Sequence, residues 1–246
     1  MWDRWEVVGG GKVSRWGLCR GLMDRITLKS PMFPARAASK AEGVVLPLAF
    51  VGDDVALVEA LRIDHPGAKS ALFQRHVGWV ERIITHVIGY DAELADILQE
   101  VFTRALASIH SLKDPAALEP WLGRVATHTA RKVLRTRTRR AWLRRFVDSA
   151  EEERHEPSAV AFAPEARQAL RAVYRVLDVL PADERIAFAL RFIDGMELTE
   201  VAAACDVSLA TIKRRLVRSE KRFVAVAARY PELSPWLTGG ARWRDR

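Results

Sequence analysis

Between residues 93 and 109, apolar side chains recur with the spacing of a single helix face. Leu94, Ile97, Leu98, Val101, Phe102, Ala105, Leu106 and Ile109 stand at offsets 0, 3, 4, 7, 8, 11, 12 and 15. Steps of three and four residues put all of them on one stripe of a 3.6-residue helix, and leave Asp96, Gln99, Glu100, Thr103 and Arg104 on the other side. From Asp53 onward Pro and Gly fall between such periodic stretches, and no alternating run of strand length interrupts them, so the pattern predicts an all-α fold. A short helix over 55–62 stops at His65-Pro66-Gly67, and a longer one over 69–88 ends at Gly89 as its C-cap. Asp114-Pro115 breaks the chain before a helix starting near Ala117, with Leu118, Trp121, Leu122, Val125 and Thr129 expected on its core side. Further on, Leu170, Val173, Tyr174 and Leu177 share a face. Leu180-Pro181 opens the next helix, with Pro181 at its first position and Asp183 and Glu184 against its positive end, and Asp194-Gly195 closes it.

Shifts in composition divide these helices into two groups. From Arg131 to Arg145 there are eight cations and no acid: Arg131, Lys132, Arg135, Arg137, Arg139, Arg140, Arg144 and Arg145. The sign then reverses at Asp148, Glu151, Glu152, Glu153 and Glu156, and Pro157 and Pro164 follow without apolar spacing. Residues 146–164 therefore read as an acidic, flexible linker between two small helical domains, at 53–145 and 165–229. Residues 1–52, with Trp2, Trp5, Trp16 and the run Gly9 to Gly11, show no sustained period. They are expected to be a disordered extension, or to lie largely upstream of a translation start at Met23 or Met32. Residues 230–246 form a tail that either docks through Leu233, Trp236 and Leu237 or stays disordered.

Charge sharpens the functional picture. Thirty-nine Lys and Arg against 31 Asp and Glu leave the 246-residue chain at +8, with a pI of about 9.9, which suits a polyanionic partner. Cys19 and Cys205 have neither the spacing nor the neighbours of a metal or disulfide framework. The longest apolar run, 43–51, is far short of the roughly 20 residues that span a bilayer, so a cytoplasmic protein without membrane partner is expected. No carboxylate pair, phosphate-binding glycine loop or nucleophile constellation is visible. The sequence thus points away from an enzyme, a cofactor and a small-molecule substrate.

The most informative motif is residues 197–222, which read as a helix-turn-helix. Thr199 is expected to cap a short helix through Cys205, with Val201, Ala202 and Cys205 inward. Asp206 occupies the turn, where a left-handed conformation is needed. Ser208 caps the second helix, with Leu209, Ile212 and Leu216 on its core face. Ala210, Thr211, Lys213, Arg214, Arg215, Arg218, Lys221 and Arg222 then point outward: short side chains near the N-terminus allow close approach to a groove, and the cations beyond reach bases or phosphates.

Taken together, the two halves resemble the sigma-70 family of RNA polymerase sigma factors, in its compact extracytoplasmic-function (ECF) group. Ala92-Glu-Leu-Ala-Asp-Ile-Leu-Gln-Glu-Val-Phe-Thr-Arg-Ala-Leu106 resembles region 2.2, and Pro120-Trp-Leu-Gly-Arg-Val-Ala-Thr-His-Thr-Ala-Arg-Lys-Val-Leu134 resembles regions 2.3 and 2.4. Leu180 to Ala202, with the helix-turn-helix, resembles region 4. The resemblance implies a region 2 helical bundle and a region 4 helix-turn-helix domain in a factor that binds core polymerase, recognises minus-10 and minus-35 elements and promotes DNA melting. It implies contact with the β′ clamp helices through Asp96, Gln99, Glu100 and Thr103, and with the β flap. Arg124, His128, Arg131, Lys132, Arg135, Arg137, Arg139 and Arg140, on the helix over 121–135 and a loop after it, would handle the minus-10 element, with Trp142 available to stack on a base. Residues 210–222 would bind the minus-35 element. The family's usual Asn at the His128 position, and Asp or Asn near Lys132, are absent, so its minus-10 preference does not carry over. An anti-sigma factor is a further implied partner. The rival readings are a conventional helix-turn-helix regulator acting as a homodimer, and a recombinase, whose nucleophile should stand among arginines. Tyr90, Tyr174 and Tyr230 all lie outside the basic stretch.

Overall fold

Asp53 starts the first helix by accepting the amide of Ala56 on its carboxylate at 2.8 Å, an N-cap that satisfies one of the free donors of the first turn. The computed structural model that this helix opens describes residues 50–144 and 164–234. Most of the expected N-terminal extension, the acidic linker, and Trp236 and Leu237 of the tail lie outside those residues. Every regular element among the described residues is helical, as the periodicity predicts.

The N-terminal bundle comprises α1 (Asp54–Arg62), α2 (Ala68–Ile88), α3 (Leu94–Ser108) and α4 (Leu118–Arg144). Leu57, Leu72, Ile83, Ile84, Val101, Leu118 and Leu122 are buried to near-zero exposure and form its centre. Helices α2 and α4 approach closely at Gly123, where a β-carbon would come 3.0 Å from the Trp79 ring. Leu118, Trp121, Leu122 and Thr129 line the core side of α4 as expected, with Val125 half-buried against the same core and Ala126, Thr127 and Ala130 sheltered beside them. One sequence expectation is corrected here: the residues after Arg135 form no loop, because α4 continues unbroken to Arg144. Arg and Ala are strong helix formers and nothing in 131–144 is Gly or Pro, so the helix has no reason to stop.

The C-terminal bundle comprises α5 (Pro164–Asp178), α6 (Ala182–Phe188), α7 (Leu198–Cys205) and α8 (Leu209–Ala227). Phe188 stacks on Phe223 at 4.7 Å between centroids and lies 4.8 Å from Phe192, which ties α6 to α8. Pro181 is the N-cap of α6 and not its first residue, and α6 passes at Ala189 into a π turn over Ala189–Ile193, closed by the Asp194 amide on the Ala189 carbonyl. Thr199 is not a cap: Glu197 holds that position, and its amide donates to the Glu200 carboxylate at 2.7 Å. Leu233 is fully buried on the turn that packs against α5, so this part of the tail docks.

The two bundles rest on one another. Helix α4 packs along α6 and α7, and the π turn packs on α2. The joint is built at the C-terminal end of α2, where the last carbonyls of a helix have no partner within it. Gly89, at φ +92°, turns the chain away and donates to the Thr85 carbonyl at 2.8 Å. The buried Tyr174 hydroxyl donates to that same carbonyl at 3.1 Å. Arg185, also buried, donates to the carbonyls of Val87 and Ile88 at 2.7 and 2.6 Å and pairs with Asp178 behind it. Beside them, Asp194 receives His86 at 2.9 Å and Arg82 at 3.2 Å. Burial pushes the Tyr174 phenol well above its ordinary range, so the neutral, donating form is the one this joint holds.

Two predictions follow from this packing. A β-carbon at Gly89 would sit 3.1 Å from the Tyr174 ring on a backbone that side chains rarely adopt. Gly89→Ala should therefore lower stability by about 1–3 kcal/mol, read from the denaturant midpoint. Burial also pushes the Cys205 thiol up to about 11, from an ordinary 9.0. At pH 8 its peptide should take up iodoacetamide on the order of a hundredfold more slowly in the folded chain than in denaturant, as followed by mass spectrometry.

Candidate nucleic-acid interface

The turn between α7 and α8 is set by a single residue. Asp206 adopts the left-handed conformation, φ 55° and ψ 48°, as expected of the residue at that point. Ser208 then accepts the Thr211 amide at 3.3 Å and starts α8. Ile212 and Leu216 are fully buried, whereas Leu209, expected inward, is exposed at the first turn. The burial of small residues, Ala202, Ala204 and Cys205, lets α7 lie close to α8 in the manner a helix-turn-helix needs.

The outward face of α8 carries most of the predicted side chains. Ala210, Lys213, Arg214, Arg218, Lys221 and Arg222 are exposed, and Thr211 is half-buried under the Ser208 hydroxyl at 2.9 Å. Lys213, Arg214 and Lys221 have no carboxylate partner among the described residues. Arg218 and Arg222 are paired with Glu184, at 3.5 and 3.0 Å. Arg215 departs from expectation: its side chain is only 16% exposed and turns toward Asp183, at 3.8 Å. It lies on the flank of α8 nearer α6, a direction that the α8 pattern alone does not encode.

Helix α4 presents the second set. His128, Lys132, Arg135, Arg139 and Arg140 are exposed, with Trp142 beyond them at 57% exposure. Arg124 reaches toward Asp206 at 3.8 Å, and Arg137 is held by Asp91 at 2.6 Å and Glu93 at 3.2 Å. Arg131 is the most sheltered of this set. It is 13% exposed, donates to Asp183 at 2.8 Å and reaches the Cys205 carbonyl at 3.4 Å. Arg135 lies 3.4 Å from the other Asp183 oxygen. The structure thus brings arginines of both predicted DNA faces together around one carboxylate.

The four predicted polymerase contacts lie on one face of α3, in different surroundings. Gln99 and Thr103 edge an apolar groove of about 750 Å³, whose walls include Phe73, Val77, Leu98 and Phe102. Asp96 is exposed outside that lining. Glu100 turns to Arg104 at 2.7 Å and to Lys132 at 3.4 Å, and these hydrogen bonds, that from Arg104 first, hold its carboxyl below the usual range. The sequence reading missed Phe73. Phe73 is 46% exposed over the groove, with its ring 4.9 Å from Phe102. No helix among the described residues is long and apolar enough to cross a membrane, and no His, Cys, Asp and Glu cluster there could hold a metal ion.

Comparison with known proteins falls on the same two bundles. Residues 72–140 match the family model described as Sigma-70 region 2, and residues 170–223 match that described as Sigma-70, region 4. The chain is 29% identical over 178 residues to the ECF RNA polymerase sigma-E factor of Escherichia coli K12, covering 68% of this chain and 91% of the relative. It is 26% identical over 177 residues to the sigma-E factor of Haemophilus influenzae, covering 68% and 92%. Among solved structures it is similar to that of CnrH in complex with the cytosolic domain of CnrY, with a TM-score of 0.49 and 21% identity over 72% of this chain and 98% of that one. With both of the family's regions matched in order on two helical bundles, and full-length relatives of the same group alongside, the chain belongs to the sigma-70 family as an ECF sigma factor.

Proposed function

We propose that this sigma factor engages core polymerase through the bundle at 53–145 and divides promoter recognition between the two helices that carry its cations. Helix α8 is the upstream reader. Its first turn presents Ala210 and Thr211, short enough for the helix to enter a major groove, and Lys213, Arg214, Arg218, Lys221 and Arg222 follow at increasing distance from the groove floor. Arginine at such a position can grip guanine through two parallel hydrogen bonds, while lysine acts as a point charge on phosphate. Helix α4 is the downstream reader, where Arg124, His128, Lys132, Arg135, Arg137, Arg139 and Arg140 supply charge for a separated strand and Trp142 an exposed ring for stacking. Arg131 and Arg215 join these sets only once their Asp183 contacts are broken.

Core polymerase contacts the α3 face at Gln99 and Thr103, beside the apolar groove, with Asp96 and Glu100 as polar flanks. The single observation that carries the reading is that both cation-bearing helices belong to separate bundles of one chain. A homodimeric operator-binding regulator would need only the second bundle and would repeat it by symmetry. Catalysis of RNA synthesis resides in the polymerase. An anti-sigma factor would act by covering the α3 face or the α8 face, in competition with polymerase or promoter.

Transcription in vitro with core polymerase on a library of promoter fragments tests the proposal. The expected result is promoter-specific initiation that depends on this chain, and an inert mixture with no comigration with core would refute it. Arg214→Ala and Arg218→Ala should each weaken use of the upstream element by about 1–3 kcal/mol where the residue reads a base, and by less where it meets phosphate. Lys213→Ala should instead weaken binding evenly across sequences and reduce the salt slope by about one. Unchanged activity of both arginine variants on every promoter would remove this face of α8 from the DNA.

A further inference from the structure

On α8, Ile212, Leu216, Ser219 and Phe223 form the buried stripe. Opposite them, at steps of four, three and four residues, stand Ala210, Arg214, Val217 and Lys221, all exposed. Three of these four belong to the DNA contacts expected from the sequence, and Val217 does not. Its side chain is 51% exposed, with Lys213, Arg214, Arg218 and Lys221 on every side of it along the helix. Single apolar residues scattered over a surface need no account. This one stands at the middle of the cationic face, and the fold gains little from it there. A β-branched residue is a poorer helix former than the Lys, Arg or Ala around it, and half of its surface stays in water.

The cations beside Val217 are not equivalent. Glu184 draws Arg218 to 3.5 Å and Arg222 to 3.0 Å. Arg214 has no carboxylate partner among the described residues and lies 3.4 Å from the Thr211 hydroxyl. The centre of the outward face is therefore a guanidinium able to turn toward a base, followed three residues on by a stiff apolar side chain. Along the helix axis the two are about 4.5 Å apart at 1.5 Å per residue. That is little more than the roughly 3.4 Å step from one base pair to the next.

We propose that Val217 is a specificity-determining residue, whose methyl groups pack on the C5-methyl of a thymine in the upstream element, in a base pair next to a G·C pair gripped by Arg214. The inference rests on the reading of α8 as the helix that enters the upstream major groove. Thymine alone among the bases presents a methyl group in that groove, and an aliphatic side chain is what recognises it. Valine suits the task because one χ1 rotamer dominates in a helix, so it docks with little loss of conformational freedom, whereas Lys and Arg each surrender several rotatable bonds. A cation at this place would hold phosphate on any sequence. An apolar side chain over a base edge discriminates.

The full-length factor, assembled with core polymerase on a promoter chosen from the fragment library, provides the test. Each thymine of the upstream element, on either strand, is replaced singly by uracil, which removes the C5-methyl and no hydrogen-bonding group. One replacement should weaken binding of labelled promoter by about fourfold, the worth of one buried methyl group. Val217→Ala should bind the thymine and uracil forms alike at that position, and Val217→Ile should keep the distinction. Val217→Lys should lose it although a cation is added. The neighbouring base pair should be a G·C whose preference Arg214→Ala relaxes.

A uracil loss that persists in Val217→Ala assigns the methyl to another residue and overturns the proposal. So does a Val217→Lys factor that binds every promoter more tightly with its thymine preference intact, because the side chain then faces only phosphate. A neighbouring pair indifferent to Arg214→Ala overturns the shared step. If no uracil replacement affects the parent factor while Arg214→Ala still weakens use of the upstream element, α8 remains the reader and Val217 has no part in it. If the factor is inert with core polymerase, or the arginine variants of α8 leave every promoter unmoved, the reading of α8 itself has failed.

Discussion

The arrangement of this molecule depends on how one helix end is satisfied. Helix α2 closes with carbonyls that its own backbone cannot pair, and the partners come from 89 to 98 positions further along the chain: the Tyr174 hydroxyl and the Arg185 guanidinium. A cationic donor at a helix C-terminus is favoured both by hydrogen bonding and by the negative end of the helix dipole. Because Arg185 is buried, its charge has to be matched, and Asp178 and the two carbonyls do so. From this fixed point the placement of the rest follows. The π turn after α6 brings Asp194 onto His86 and Arg82, and the start of α6 brings Asp183 against α4.

The cation clusters take on a different character in this setting. In the sequence they are two patches of one sign separated by an acidic linker. In the structure, each patch is partly answered by carboxylates from α6, and α4 additionally by Asp91, Glu93 and Glu100. Exposed pairs such as Lys132 with Glu100 contribute little to stability. The half-buried ones, Arg131 and Arg215 around Asp183, have lost much of their water, so their partner matters more. The net charge of the chain therefore says less about its readiness for a polyanion than the location of four or five acids.

Most of the helical framework was legible in the sequence because it rests on local physics. The apolar stripe of α3, the Gly89 terminus of α2, the left-handed Asp206 and the Ser208 cap are each fixed by spacing or by one residue's conformational preference. The misreadings share a cause. Leu209 and Arg215 were placed by periodicity within one helix, but the burial of each is decided by what packs across from it. Periodicity has no information on contacts between Arg131 and Asp183, 52 residues apart. The loop expected after Arg135 was a different kind of error, because it came with the family resemblance, and the helix propensity of these residues prevailed. The groove over Phe73 has no local signal, because adjacent apolar residues such as Ile83 and Ile84 can both be buried, and only the packing of α3 on α2 leaves Phe73 exposed.

The unbroken length of α4 has a mechanical consequence. Its 27 residues span about 40 Å at 1.5 Å per residue, and its first half is anchored in the core at Leu118, Leu122, Ala126 and Ala130 while the second half is mostly exposed. A stiff rod held at one end turns a sideways load at its tip into a bending moment at the clamp. A load on Arg139 or Arg140 near the tip is therefore felt, with leverage, at Arg131, two to three turns nearer the clamp.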